Sequence, residues 1–115
     1  MGDRMMLNIN KELNEKIDRL VEKNVFKSKK QALEIACAFG IISDEKKNLG
    51  ETVKVDVKNF DEHKILSIIA ADKNNLRTKE DVVPELEKYI EAGSIIITDD
   101  FDFYDAYEKA MEMRY

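Results

Sequence analysis

Few side chains in this sequence have the chemistry that catalysis requires. The 115 residues include one histidine, His63, and one cysteine, Cys37. A zinc site uses several His or Cys ligands, so one of each argues against zinc. There are four glycines, and none lies in a GxGxxG or Walker-type loop that would hold phosphate. We therefore expect a binding protein with no cofactor, not an enzyme.

A group of carboxylates near the C-terminus is the remaining candidate for chemistry. It comprises Asp99, Asp100, Asp102, Asp105, Glu108 and Glu112. Such oxygens can hold a divalent cation, but the regular spacing of a calcium loop is absent. Carboxylates are also favoured at the start of a helix by the helix dipole. We predict a helix start here and no metal site.

Charge is unevenly distributed along the chain. Residues 1–50 hold 10 Lys or Arg against 8 Asp or Glu, while residues 51–115 hold 9 against 16. The halves therefore carry +2 and −7, which suggests different partners or faces. With 43% hydrophobic residues, no apolar run near the length of a membrane span and a single cysteine, the chain is expected to be cytoplasmic and reduced, without contact to a membrane.

The elements that would position a binding site begin with a strand over residues 4–9. Alternation places Met5, Leu7 and Ile9 on one face and Arg4, Met6 and Asn8 on the other. Asn10 then caps an amphipathic helix that ends near Lys23. Ser28, with Gln31 in capping-box position, starts a second helix that runs to about Ile41.

The second helix is apolar nearly all round, which is more than one contact face requires. A strand and two helices over 42 residues cannot close a core alone. A homodimer would solve this, with the first strands of two chains paired antiparallel. We expect its core to contain Met5, Leu7, Ile9, Leu33 and Cys37.

Residues 4–42 resemble the Arc/MetJ-like ribbon-helix-helix family of DNA-binding proteins. The motif NVFKSKKQALEIACAFG follows the strand and first helix. The family's turn, aromatic, cap, basic, Glu/Gln, Ala and Leu positions fall on Asn24, Phe26, Ser28, Lys29, Gln31, Ala32 and Leu33. This resemblance implies an intertwined dimer whose ribbon enters the major groove.

The resemblance also implies which residues meet DNA. The outward residues Arg4, Met6 and Asn8 would contact bases; Arg suits guanine and Asn suits adenine, while Met6 fits a protein contact equally well. The start of the second helix would hold a phosphate. Its residues are Lys27, Ser28, Lys29 and Lys30.

The remainder of the chain predicts a second unit. Residues 44–51 are polar and indicate a loop, after which Val53, Val55 and Val57 alternate as in a strand. Asn59 or Asp61 would cap a helix with a wide apolar face, ending near residues 74–75. That face comprises Ile65, Leu66, Ile68 and Ile69.

Two further helices are predicted after this point. Thr78 or Asp81 starts one that ends at Gly93, and Pro84 fits only within its first turn. Residues 94–98 indicate a short strand or extended segment. Asp99 or Asp100 would cap the last helix, whose aromatic residues are Phe101, Phe103, Tyr104 and Tyr107.

The expected fold is α+β, mainly α. It has a ribbon-helix-helix-like unit over residues 1–43, a loop over 44–51, and an acidic α-rich unit over 52–115 with one or two short strands. Residues 26–97 are also similar, in the order of short segments, to accessory proteins of DNA phosphorothioation (Dnd) systems. That similarity favours a DNA-related setting.

Two functions remain open at this point. The first is a dimeric protein that binds double-stranded DNA, as a transcriptional regulator or an accessory factor of a DNA-modification system. The second is a protein–protein interaction module, either a DNA-modification accessory or an antitoxin. It would use the ribbon-helix-helix unit only to dimerise and would grip its partner through the acidic half, at Asp99, Asp100 and Asp102.

Overall fold

The computed structural model describes residues 4–114, apart from the side chains of Arg4, Lys79, Ala110, Met113 and Arg114. Two strands and five α-helices lie within this part of the chain. In order they are β1 (Arg4–Asn10), α1 (Lys11–Glu22), α2 (Lys29–Ile42), β2 (Thr52–Lys58), α3 (Ile65–Asn74), α4 (Lys79–Gly93) and α5 (Phe103–Arg114). The predicted α+β, mainly α class is confirmed.

Side-chain caps define the starts of three helices at the predicted residues. Asn10 accepts a hydrogen bond from the Leu13 amide at 3.1 Å. Ser28 accepts one from the Gln31 amide at 3.2 Å, and Thr78 caps α4 in the same way. These short polar side chains satisfy amides that the first helical turn leaves without partners.

The two strands form an antiparallel sheet within one chain. Leu7 lies opposite Val55, and Arg4 opposite Lys58 at the end of the ladder. The first strand has no partner within residues 4–42, as expected, but the inference that its partner must come from a second chain is wrong, because β2 of the same chain fills that place. Alternation identified the buried face of each strand, but it carries no information about which strand lies alongside.

Helices α2 and α4 pack at unusually short range around two glycines. A Cβ atom added at Gly40 would lie 2.2 Å from the Tyr89 carbonyl oxygen, and one added at Gly93 would lie 1.7 Å from that of Ala36. The glycines thus let the two backbones touch. This contact explains why α2 is apolar nearly all round without requiring a second chain.

Residues 44–51 form the expected loop, which is fastened to the helices that follow it. The Lys46 ammonium donates to Asn74 at 2.6 Å and to Glu85 at 3.0 Å. The Lys47 amide donates to the Lys88 carbonyl at 3.1 Å. These bonds connect the loop to the second half of the chain. The β1–β2 and α2–α4 contacts place residues of both predicted units in one shared hydrophobic core.

Three local expectations in the second half need correction. Residues Ser94–Ile96 form a turn of 3₁₀ helix where a short strand or extended segment was predicted. Asp102, and not Asp99 or Asp100, caps α5 by accepting a hydrogen bond from the Asp105 amide at 3.1 Å. Pro84 lies in the second turn of α4, because that helix begins at Lys79; the predicted first-turn position is wrong.

Candidate nucleic-acid interface

The outward face of the β1–β2 ribbon holds the predicted base-contact positions. Met6 and Asn8 are exposed, as expected, while the side chain of Arg4 lies outside the described part of the chain. The neighbours of these positions come from β2 of the same chain. Arg4 lies opposite Lys58, Met6 opposite Asp56 and Asn8 opposite Lys54.

The inward face of the ribbon is buried within the single chain. Leu7 is 0% exposed, as are Leu33 and Cys37 of α2, and Met5 and Ile9 are nearly as well covered. All five residues predicted to form a dimer core therefore belong to the core of one protomer. Their burial gives no reason for a second chain, because the hydrophobic core of the same chain already covers them.

The second edge of β1 is partly occupied by a carboxylate. Antiparallel pairing with β2 uses the amides of alternate residues, and the Asn8 amide points to the opposite side. There it donates to Glu87 Oε2 of α4 at 2.6 Å. A β1–β1 ribbon between two chains would have to use this edge and displace Glu87, which is buried.

The start of α2 keeps its predicted cap, but two of its lysines have partners. The Lys29 ammonium lies 2.8 Å from the Asn14 amide oxygen and 2.9 Å from Asp18, both on α1. The Lys30 ammonium lies 3.1 Å from Glu34. A phosphate bound here would compete with these carboxylates, so contact by these lysines stays a prediction.

The other two residues of this predicted phosphate site are exposed. Lys27 and Ser28 lie just before α2. The Gln31 side chain accepts a hydrogen bond from the Lys27 backbone amide at 2.8 Å, and the Ser28 hydroxyl oxygen accepts one from the Gln31 backbone amide. The Ser28 hydroxyl therefore already serves the helix as its cap, and Lys27 is the lysine best placed to meet an anion.

Cys37 is a buried free thiol near the carboxylates of Glu34 and Asp61. Burial raises the pKa of the Cys37 thiol well above its ordinary range, and Asp61 and Glu34 raise it further. Asp61 itself accepts hydrogen bonds from the Leu66 and Ser67 amides at the start of α3. A thiol held protonated is a poor nucleophile, so these surroundings do not activate Cys37.

The C-terminal carboxylates do not gather into a metal site in the described part of the chain. Asp102 caps α5, and Asp99 forms an ion pair with Lys23 of α1 at 3.7 Å. His63 is exposed between β2 and α3. A carboxylate therefore caps α5, as the sequence predicted, but it is Asp102 and not Asp99 or Asp100.

Two exposed apolar faces are features that the sequence did not reveal. On α3, Ile65, Ile68 and Ile69 point to solvent, with Ile68 64% exposed. On α5, Phe103 and Tyr104 are 63% and 78% exposed. The periodicity of these residues predicted apolar helix faces, but it did not distinguish a face buried in the core from one facing solvent.

Comparison with protein-family models, with curated proteins and with solved structures found no match to this chain. Among the described residues, no helix has the length and apolar character needed to cross a membrane.

Proposed function

We propose that this protein binds double-stranded DNA through the outward face of the β1–β2 ribbon. The observation that carries the proposal is an open ribbon face in which the amide-bearing Asn8 lies across from Lys54, both exposed. A two-stranded ribbon has the width to enter the major groove. The ribbon is built within one chain, so the face exists without an exchanged strand.

Local charge supports this face as the one that meets phosphate. The outward positions hold Arg4, Lys54 and Lys58 against Asp56, a balance of +2 in a chain whose net charge is −5. Binding to the DNA backbone depends on cations close to the phosphates, since the field of distant charges is screened within about 10 Å at ordinary salt. The carboxylates elsewhere in residues 51–115 do not cancel the positive charge of this face when they lie away from the duplex.

Each outward residue has a distinct role in the proposal. The side-chain amide of Asn8 can pair with adenine through two hydrogen bonds, and Met6 can contact a thymine methyl group. Lys54 and Lys58 supply charge to phosphates without fixed geometry. Lys27, near the start of α2, provides a further cation if the duplex extends that far.

The setting we propose is a cytoplasmic DNA-binding protein without enzymatic activity. It would act as a transcriptional regulator or as an accessory factor in DNA modification, as the resemblance to Dnd-associated proteins favours. A homodimer would place two ribbons on one duplex and so read two half-sites. Its interface would lie away from the inward face of β1, which is buried in the protomer.

Replacing the ribbon lysines tests this proposal directly. We expect Lys54→Gln with Lys58→Gln to weaken binding to a fluorescent 20-base-pair duplex. The slope of log affinity against log salt should flatten by about two units, because about 0.9 units are lost for each phosphate contact removed. Fluorescence anisotropy at several salt concentrations measures both quantities.

The matched control is Lys88→Gln with Lys109→Gln, which removes the same charge from α4 and α5. Its affinity and salt slope should stay near those of the native chain. Equal losses in both double variants would show that only net charge matters, and an absence of duplex binding by the native chain at low salt would refute the proposal.

A further inference from the structure

The structure contains an apolar groove that is separate from the ribbon. Helix α5 lies against α2, and between them is a cavity of about 80 Å³. Apolar side chains line it: Ile35 and Phe39 from α2, Phe103 and Tyr107 from α5, and Phe101 from the segment just before α5. One wall contacts the core, because the Phe101 ring packs against the buried Phe26 ring in a tilted arrangement, with 4.9 Å between the ring centroids.

The other wall of the groove is formed by side chains that the core does not cover. Phe103 and Tyr107 are more than half exposed, and Tyr104 beside them is exposed further. Aromatic side chains in solvent forgo the free energy that burial would give. Contiguous exposed apolar surface of this kind marks sites of protein interaction.

Carboxylates border this groove and select the charge of its partner. A second cavity of about 180 Å³ adjoins the first, with which it shares Ile96, Phe101 and Ala106, and it is lined by Asp100, Asp102 and Asp105. Lys109 is the one cation in that lining. A symmetric dimer that paired through this surface would bring like charges together, whereas a basic segment would neutralise them.

We propose that the groove between α2 and α5 binds a basic amphipathic helix of another protein. The partner would insert aliphatic side chains between Phe39 and Tyr107 and place Lys or Arg beside Asp100 and Asp105. Helices with apolar anchors one turn apart bind apolar grooves in this way. The groove provides the affinity, and the carboxylates provide the preference for a cationic partner.

The experiment uses three fluorescent 16-residue peptides and the full chain. The first peptide is an amphipathic helix of Leu and Lys, the second has Glu in place of Lys, and the third has the Leu and Lys composition in an order without helical periodicity. We expect the first to bind with micromolar affinity and the other two to bind at least tenfold more weakly. Amide shifts in NMR spectra should change mainly over residues 35–42 and 96–107.

Variants of the protein separate the groove from general charge. Phe103→Ser with Tyr107→Ser should weaken binding of the first peptide at least tenfold. Asp100→Asn with Asp105→Asn should weaken binding of the same peptide about threefold to tenfold. At 0.5 M salt this variant and the native chain should bind the peptide equally well. The controls are Ile65→Ser with Ile68→Ser on α3 and Glu15→Gln with Glu22→Gln on α1, each expected within twofold of the native chain.

Ala38→Leu provides a variant that does not depend on α5 remaining folded after its aromatics are lost. Ala38 lines the groove from α2, so a larger side chain there fills the cavity and should also weaken binding of the first peptide tenfold. Equal losses in the α1 control, shift changes centred on α3 or the ribbon, or full affinity in Ala38→Leu would overturn the proposal. So would a dimer of the native chain that Phe103→Ser with Tyr107→Ser abolishes.

Discussion

Helices α2 and α5 are both rich in apolar residues, but the fold uses them in opposite ways. Seven residues of α2 are buried, from Ala32 to Ile41. Among the described side chains of α5, Ala106 is buried and three aromatic residues are largely exposed. Apolar residues therefore serve two purposes in this chain: those of α2 stabilise the folded state, while those of α5 leave apolar area accessible to another molecule.

The largest difference between the two helices is expected when the same substitution is made in each. Phe39 on α2 is 4% exposed and Phe103 on α5 is 63% exposed. We expect Phe39→Ala to lower the free energy of unfolding by about 3–5 kcal/mol, since it removes buried area and leaves a cavity. Phe103→Ala should change it by no more than about 0.5 kcal/mol.

Urea unfolding followed by circular dichroism measures both values. Equal losses would mean that α5 is as much a part of the core as α2, which would contradict its assignment as a surface for a partner.

A smaller effect is expected at the contact between α2 and α4. Any side chain at Gly93 would overlap the backbone at Ala36, so Gly93→Val should force the helices apart and cost about 3 kcal/mol. Gly50→Val is the control, because the nearest atom to a Cβ there is the Asn10 side-chain nitrogen at 3.9 Å. The midpoint of urea unfolding should fall for the first variant and stay within error for the second.

The smallest effect concerns a carboxylate on α4 and depends on pH. Glu91 Oε2 is buried without a hydrogen-bond partner in the described part of the chain. Burial raises the pKa of Glu91, and Lys47 partly offsets that rise. Because the folded state disfavours the ionised form, Glu91 destabilises the fold above its folded pKa, and this penalty disappears below the ordinary Glu pKa of about 4.3.

Glu91→Gln should therefore stabilise the protein at pH 7 by less than about 1 kcal/mol, because the side chain is partly exposed and solvent weakens the effect. The gain should vanish near pH 3.5. Thermal unfolding at both pH values, with Glu80→Gln as the control on the same helix, measures the difference. A gain that persists at pH 3.5 would assign it to packing and not to charge.

Local structure was predictable from the sequence because its causes are local. Asn10, Ser28 and Thr78 cap the helices that they were expected to cap, and Asn24 and Asn75 adopt the left-handed conformation at helix ends. A short side chain satisfies an amide three residues away, so the signal lies within a few positions.

Long-range relations were not predictable, for physical reasons that differ between sites. The pairing of β1 with β2 joins residues about 50 positions apart, and alternation is the same for any partner strand. The sequence predicts that Lys29 contacts a phosphate, whereas in the structure Lys29 forms an ion pair with Asp18 of α1. Ile68 lies in an apolar helix face that nothing local identifies as exposed.

The carboxylate of Glu87 on the Asn8 amide also bears on the solubility of the folded chain. An uncovered strand edge invites another strand to add and can begin aggregation. Any strand that approached this edge of β1 would first have to break the hydrogen bond between the Asn8 backbone amide and Glu87, and would leave a buried polar group without its partner. The position of Glu87 therefore opposes the addition of a strand from a neighbouring molecule at this edge of β1.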